Sequence, residues 1–413
     1  LDQSGEAALR TGHGSRVEGP TPHPALSLRE RVPGASPSNV SAGSSLRDRL
    51  AALRNRLVAS PRFQCFAAAF PLTRPVAERQ SQALFDLCAG FVYAQVLSAC
   101  VKLDLFVILE PGPRTPAELA PRLAMTPDAA ERLLKAAAAL NLVEPRNGGR
   151  YGLAMLGAAL IGNPGVGAMI AHHHLLYADL ADPLALLRGQ AQPTQLSRFW
   201  GYAQASDPAA APPQEVAAYS ALMAGSQHLV ADDIVAAYDF GRHRHVVDIG
   251  GGEGAFLSVV ARHAPSLALT VFDLPSVAER ARKRFAAEGL SGWSQAIGGD
   301  MHRDALPGDA DLYTLVRVLH DHDDDAVRAL LLSLRRAMPA GATLLIAEPM
   351  AGSAATARMA DAYFGFYLLA MGSGRARTPA ELTQFLSEAG FSEIRSLRTR
   401  RPLLTGAISA RAA

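Results

Sequence analysis

His245–Gly254 reads HVVDIGGGEG, and the spacing of its glycines decides the fold. A β-branched run closes on Asp248 and breaks into Gly250, Gly251, Gly252 and Gly254, followed by the helix-like AFLSVVARHA. Strand, tight turn and helix in that order leave bare backbone for a ligand to lie against. The dinucleotide fingerprint G-x-G-x-x-G sets its third glycine three positions after the second and aims a helix N-terminus at a pyrophosphate. Here the third glycine comes two positions later, as Gly250, Gly252 and Gly254. That compression argues against an NAD-dependent oxidoreductase.

Working outward, strands and helices alternate from Arg244 onward. Strands are expected at His245 to Ile249, Leu267 to Asp273, Ser294 to Ile297, Asp311 to Val316 and Thr343 to Glu348, with a final pair near Ile394 to Arg398 and Leu404 to Ser409. The pattern predicts an α/β, Rossmann-like fold: a mostly parallel seven-stranded sheet covered on both faces, with ligands at the C-terminal strand ends. The hairpin-like ending adds an antiparallel edge strand.

Upstream, residues 75–240 read as mostly helical. Ala83 to Leu109 forms one long apolar helix or a broken pair. TPAELAPRL and TPDAAERLLKAAAAL start helices at Thr115 and Thr126 with proline at the first helical position, and NLVEPRNGGRYGL turns as a hairpin on Asn147-Gly148, which together make a small winged-helix unit. Winged helices often bind DNA, but the recognition-helix position, Asp128 to Leu140, balances two acids against two bases. Order is expected to begin near Leu46, where Leu46, Leu50, Leu53 and Leu57 share a helical face. Three segments follow: a Gly-, Pro- and Ser-rich disordered leader over 1–45, a winged-helix-like domain over 46–240, and a ligand-binding α/β domain over 241–413.

The bulk numbers narrow the class. At 413 residues, 49% hydrophobic and 19% charged, the chain suits buried globular domains, and a net charge of +2 with no basic stripe asks for no nucleic acid. Cys65, Cys88 and Cys100 have no metal-ligand spacing, and a reducing compartment is the simple reading. Gly90 to Leu109 comes nearest to a membrane span but carries Lys102 and Asp104, so none is expected.

Successive strand ends carry the chemistry. Asp248 closes the first strand, and Asp273 with Leu274 closes the second, where a carboxylate can accept both hydroxyls of a ribose; a turn or helix-capping acid is the competing reading. Asp300 and Met301 follow the third strand, suited to an adenine amino group and ring face. Arg317 closes the fourth strand, and His320 follows in the loop, either a base for a hydroxyl proton or a polar loop residue without a chemical role. Asp323, Asp324 and Asp325 are explained by the next helix's dipole and cap rather than by a metal. Glu348 ends the fifth strand, placed to fix the tautomer of His320. The helix over 359–374 sets Phe364, Tyr367, Leu368 and Met371 on one face, as core or as the wall of an apolar substrate pocket. His172, His173 and His174, adjacent on a helix, diverge too far to hold one ion, and no metal is expected.

The order VVDIGGGEG, VFDLP, GGDM, LVRVLHDHDDD and LLIAEP resembles the class I S-adenosylmethionine-dependent methyltransferases, in particular the plant-type, hydroxyindole-like O-methyltransferases, over residues 75–413. The resemblance implies S-adenosylmethionine as cofactor, S-adenosylhomocysteine as product, and an N-terminal domain that builds a homodimer. It implies that His320 is the catalytic base, in an H-D-W motif whose tryptophan is here His322, that Arg317 contacts the cofactor, and that Glu348 is one of two glutamates bracketing the histidine. The second falls at Ala376, so proximity is left to do more of the catalysis. ALFDLCAGFVYAQVLSACVKLDLF, HHHLLYADLADPLALLRG, LSRFW and DAYFGFYLLAMGSGRARTPAEL resemble the 1-hydroxycarotenoid (hydroxyneurosporene, demethylspheroidene) O-methyltransferases of purple phototrophic bacteria. That likeness implies methylation of a tertiary hydroxyl in spheroidene or spirilloxanthin biosynthesis, in the cytoplasm or peripheral to the intracytoplasmic membrane. A bacteriochlorin or an aromatic polyketide also suits an apolar pocket, and a winged-helix DNA-binding regulator is the reading from another class.

Overall fold

The computed structural model describes residues 45–200 and 213–413, so the leader expected over 1–45 lies outside the described residues, save Ser45. The chain divides between Cys88 and Ala89 into two compact units. In the first, the leucine spacing meets the helix it predicts. The Ser45 hydroxyl accepts from the Asp48 N–H and the Asp48 carboxylate accepts from the Ser45 N–H, a capping box that starts helix Leu46–Val58. Helix Pro61–Ala69 follows, and then the 29-residue helix Arg74–Lys102, which runs across the division. By length and composition this last helix suffices to cross a membrane, where the sequence reading saw no eligible run. The reason is register: Lys102 and Asp104 fall at and beyond its C-terminal end, and the apolar stretch lies ahead of them.

The second unit opens with the winged module. Helices Leu105–Leu109, Pro116–Leu119 and Pro127–Ala139 lead into strands β1 (Val143–Arg146) and β2 (Arg150–Leu153), paired antiparallel around residues 147–149. Thr115 and Thr126 cap their helices with proline next in line, as the dipeptides predict. Helix Pro127–Ala139 turns Ala130, Leu134 and Ala137 inward, and on its outer side Lys135 pairs with Glu131 at 2.7 Å.

The sheet comprises β3 (His245–Ile249), β4 (Ala268–Asp273), β5 (Ser294–Gly298), β6 (Leu312–Val316), β7 (Thr343–Glu348), β8 (Phe391–Leu397) and β9 (Gly406–Ala412), in the order β5-β4-β3-β6-β7-β9-β8. The first five run parallel, as the alternation with helices predicts. β9 is antiparallel to both β7 and β8, so the reversed strand sits one place in from the edge rather than at it. The two-residue side-chain period feeds both faces. Val247, Ile249, Tyr313 and Leu315 point into one core layer, and Val246, Leu312, Val316 and Leu345 into the other. Strand order reverses at β3, with β4 on one side and β6 on the other. The C-terminal ends of β3 and β6 therefore open a crevice where doubly wound sheets bind ligands. The aromatic segment expected as one helix is a π-helix over Arg358–Phe364 that continues as an α-helix over Gly365–Met371.

Candidate active site

The crevice is a cavity of about 360 Å³, lined by strand ends and by Met223 and Gln227 of helix Pro213–Ala237. Of the residues singled out in the sequence, Asp248, Gly250, Gly252, Asp273, Leu274, Asp300, Met301 and Arg317 all line it. Asp248 is buried; its Oδ1 accepts from Thr314 Oγ1 at 2.6 Å, while its Oδ2 has no partner among the described residues. Burial, reinforced by Asp273, pushes the Asp248 carboxyl up to about 7 against the pull of the Thr314 hydrogen bond.

The glycine loop has two separate needs for its missing side chains. Gly252 (φ 59°) donates its N–H to Asp273 Oδ2 at 2.8 Å, and a Cβ there would meet nothing within 4 Å, so bare backbone faces the cavity. Gly254 (φ 77°) instead packs, since a Cβ would lie 2.7 Å from the Phe285 ring. Asp273 accepts from the Leu274 N–H through Oδ1, and burial nonetheless raises its carboxyl to about 6. Asp300 accepts from the His302 N–H at 2.9 Å. Arg317 adopts φ 58°, a left-handed conformation costing a non-glycine residue about 1–3 kcal/mol, and directs its guanidinium to Gln227 Oε1 at 3.3 Å and Met223 Sδ at 3.7 Å.

Behind the cavity wall lies a carboxylate–imidazole chain. Glu348 Oε2 is 2.6 Å from His320 Nδ1, and its Oε1 accepts from the backbone N–H groups of Val318 and Leu319 at 2.9 and 2.7 Å. One side chain thus orients the ring and pins the loop that carries it. The second ring nitrogen, Nε2, lies 3.2 Å from Asp321 Oδ1. The resemblance set Ala376, not a second carboxylate, against that side of the imidazole; the neighbouring residue in the chain supplies one. Burial lowers the proton affinity of His320, but Asp321 and Glu348 outweigh it and hold the imidazole above its usual range. A ring placed this way can exchange a proton at Nε2 while Nδ1 stays fixed.

Phe364 meets the His320 ring edge-on at 5.6 Å. Tyr367 and Met371 are buried with Leu176, Leu186, Leu196 and Trp200, and Tyr367 lies 3.0 Å from His172 Nε2. None of the three aromatic-segment residues lines the cavity of the glycine loop. The histidine run, expected on one helix, straddles the break between helices Pro164–His172 and His174–Asp179: His173 lies 2.7 Å from Tyr363, beside the Tyr367 that His172 meets, and His174 lies 2.9 Å from the Ala171 carbonyl.

Sequence reasoning missed what five residues do. His302 and His322 meet edge-on at 4.8 Å in the cavity wall, and burial lowers His322 to about 4. Asp324 does more than complement a helix dipole: it takes both Arg375 and Arg377, whose guanidinium groups hold its carboxyl down at about 2. Arg377 is buried and donates to the carbonyls of Leu319 and His322, each at 2.7 Å. Gly374 (φ 85°) passes so close that a Cβ would lie 2.1 Å from the His320 carbonyl oxygen. The run GSGRARTP held the signal, two arginines opposite three consecutive acids, but their pairing joins segments about fifty residues apart.

Two family models match. Residues 177–392 match an O-methyltransferase domain and residues 85–163 an O-methyltransferase dimerisation domain. The demethylspheroidene O-methyltransferase of Cereibacter sphaeroides is 43% identical over 361 residues, covering 87% of this chain and 95% of that one. The protein of the same name from Rhodobacter capsulatus is also 43% identical, over 86% of this chain and 88% of its own. Among solved structures, human N-acetylserotonin methyltransferase in complex with S-adenosylmethionine superposes with a TM-score of 0.66 at 25% identity, covering 80% of this chain and 97% of that one.

Proposed function

This chain belongs to the O-methyltransferase family, and on that premise we propose that it transfers a methyl group from S-adenosylmethionine to the tertiary hydroxyl of an acyclic 1-hydroxycarotenoid of the demethylspheroidene type. The observation that carries the acceptor is the 43% identity, spread over nearly the whole of both chains, to a demethylspheroidene O-methyltransferase. The cavity suits the donor. It offers an unpartnered buried carboxylate oxygen on Asp248, open backbone at Gly252, and carboxylates at Asp273 and Asp300 for hydroxyl and amino donors. Met301 offers an apolar face, Leu274 and Gly250 complete the wall, and Arg317 supplies a cation.

When bound, S-adenosylmethionine supplies an electrophilic methyl group on a sulfonium and leaves as neutral S-adenosylhomocysteine. The chain's own residues align the acceptor, exclude water and remove one proton. His320 takes the hydroxyl proton at Nε2, where the hydroxyl replaces Asp321. Glu348 keeps Nδ1 protonated and steadies the imidazolium that forms. Phe364 is the apolar wall beside the base, with Tyr367 and Met371 packed behind it. The dimerisation domain over 85–163 makes the enzyme a homodimer, and the acceptor's apolarity brings it to the cytoplasmic surface of the membrane that holds its substrate. A strain lacking the protein tests the reading. Its pigment extract is expected to accumulate the 1-hydroxycarotenoid, and unchanged methoxylated pigment would contradict it.

A further inference from the structure

We propose that helix Leu46–Val58 is an interfacial helix that docks the enzyme on an anionic lipid surface. The inference rests on the membrane contact proposed above and names the surface that makes it. Leu46, Leu50, Leu53 and Leu57 are 74, 58, 56 and 47% exposed, and of the whole helix only Ala51 is even half-buried. At about 100° per residue the four leucines fall within a narrow stripe. Arg47 and Arg54 run along one flank of it and Arg49 and Arg56 along the other, while Asp48 and Asn55 take the back. A leucine stripe between two arginine rows fits a bilayer boundary. The leucines enter the acyl region, and the arginine stems lie along it and lift their guanidinium groups to the phosphates.

The exposed apolar surface continues past the helix. Phe66 and Phe70, stacked at 5.4 Å, are 56 and 41% exposed, and Leu72 is 81% exposed. Residues 45–70 hold five arginines and one acid, so the segment's charge complements an anionic surface. A second copy of the chain fits less well. The leucines occupy the core positions of a heptad pattern, but every flanking position that faces the partner helix is then arginine, and the two copies repel. Thirteen residues also fall short of the roughly three heptads that sustain a coiled coil. The matched dimerisation domain begins only at residue 85.

Flotation of the full chain with phosphatidylcholine vesicles, with and without phosphatidylglycerol, tests the proposal. The protein is expected to float with the anionic vesicles, to float poorly with the neutral ones, and to release as salt is added. Replacing Arg47 and Arg54 with glutamine is expected to lower partition by about 25-fold, at about fivefold for each cation near an anionic surface. Leu50→Glu with Leu53→Glu is expected to abolish it, with S-adenosylhomocysteine binding retained as evidence of an intact fold. Variants that float like the parent overturn the proposal, as does a parent that floats with neither vesicle. A smaller oligomer for the leucine variant, with flotation unchanged, assigns the face to self-association and overturns it too. Methyl transfer to a detergent-dispersed carotenoid separates the two readings. Transfer without flotation removes only the docking surface, and flotation without transfer removes only the acceptor.

Discussion

At His320, burial opposes the charged ring and two carboxylates favour it, and the carboxylates prevail. The base form is therefore populated only as pH rises through a value above the ordinary ~6.5 of histidine. We expect kcat to climb along a limb whose midpoint lies above that value. His320→Ala is expected to remove the limb and lower kcat by about 10²–10⁴-fold while S-adenosylhomocysteine binding survives. A variant with unchanged kcat would assign the catalysis to proximity alone. The same raised group stabilises the fold fully below ~6.5 and loses that contribution as pH rises through its folded value. Asp248 and Asp273, also raised, carry the same sign. With carboxyls near 7 and 6, they keep protons that an unfolded aspartate has released, so stability from these two groups falls as pH rises from ~3.9 toward 7. Donors on the bound cofactor favour the ionised carboxylates, so affinity is expected to rise between about pH 5 and 7.5 with release of protons. Calorimetry in buffers of different ionisation heat reads that release; a heat independent of buffer would contradict it.

The loop over 318–322, which carries the proposed base, is clamped from three sides. Glu348 holds two of its N–H groups, Arg377 holds two of its carbonyls, and Gly374 leaves room for its backbone. Gly374→Ala adds both a clash and a left-handed strain, and is expected to lower kcat more than it weakens cofactor binding, since the glycine loop lies on other elements. Equal loss of both would show that the loop and the cofactor crevice are not separable. Arg377→Met leaves buried carbonyls and part of Asp324 unpaired, with an expected loss of about 3 kcal/mol read as a lowered urea midpoint. A midpoint within error of the parent would deny the clamp. These contacts mark where sequence reasoning stopped. β3 and β7 begin and end at the residues expected, because β-branched runs bounded by glycine and turn residues declare themselves locally. The strand-end residues Asp248, Asp273, Asp300 and Arg317 share one cavity, as the parallel topology requires of successive strand ends. Arg377, Gly374 and the role of Asp321 were not legible, because each depends on which distant loop the chain brings alongside. The π-turn at Arg358–Phe364 likewise leaves no periodic signature.

For the whole molecule, the fold class followed from two periodicities: apolar spacing of a helical kind up to residue 237 and strand–helix alternation from 245 onward. Where β9 inserts was not legible, since pairing order depends on long-range contacts and not on local pattern. The leucine face of helix Leu46–Val58 shows the same limit in reverse: its periodicity predicts the helix correctly but not that the face stays exposed. In the proposed reaction a donor crevice at the strand reversal, a clamped imidazole beside it and an apolar acceptor act together. Incubating the purified protein with methyl-labelled S-adenosylmethionine and, in parallel, a detergent-dispersed 1-hydroxycarotenoid, a bacteriochlorin and a hydroxylated aromatic polyketide tests that union directly. Label is expected on the carotenoid as a methyl ether and to depend on His320; label on another acceptor with none on the carotenoid would contradict it.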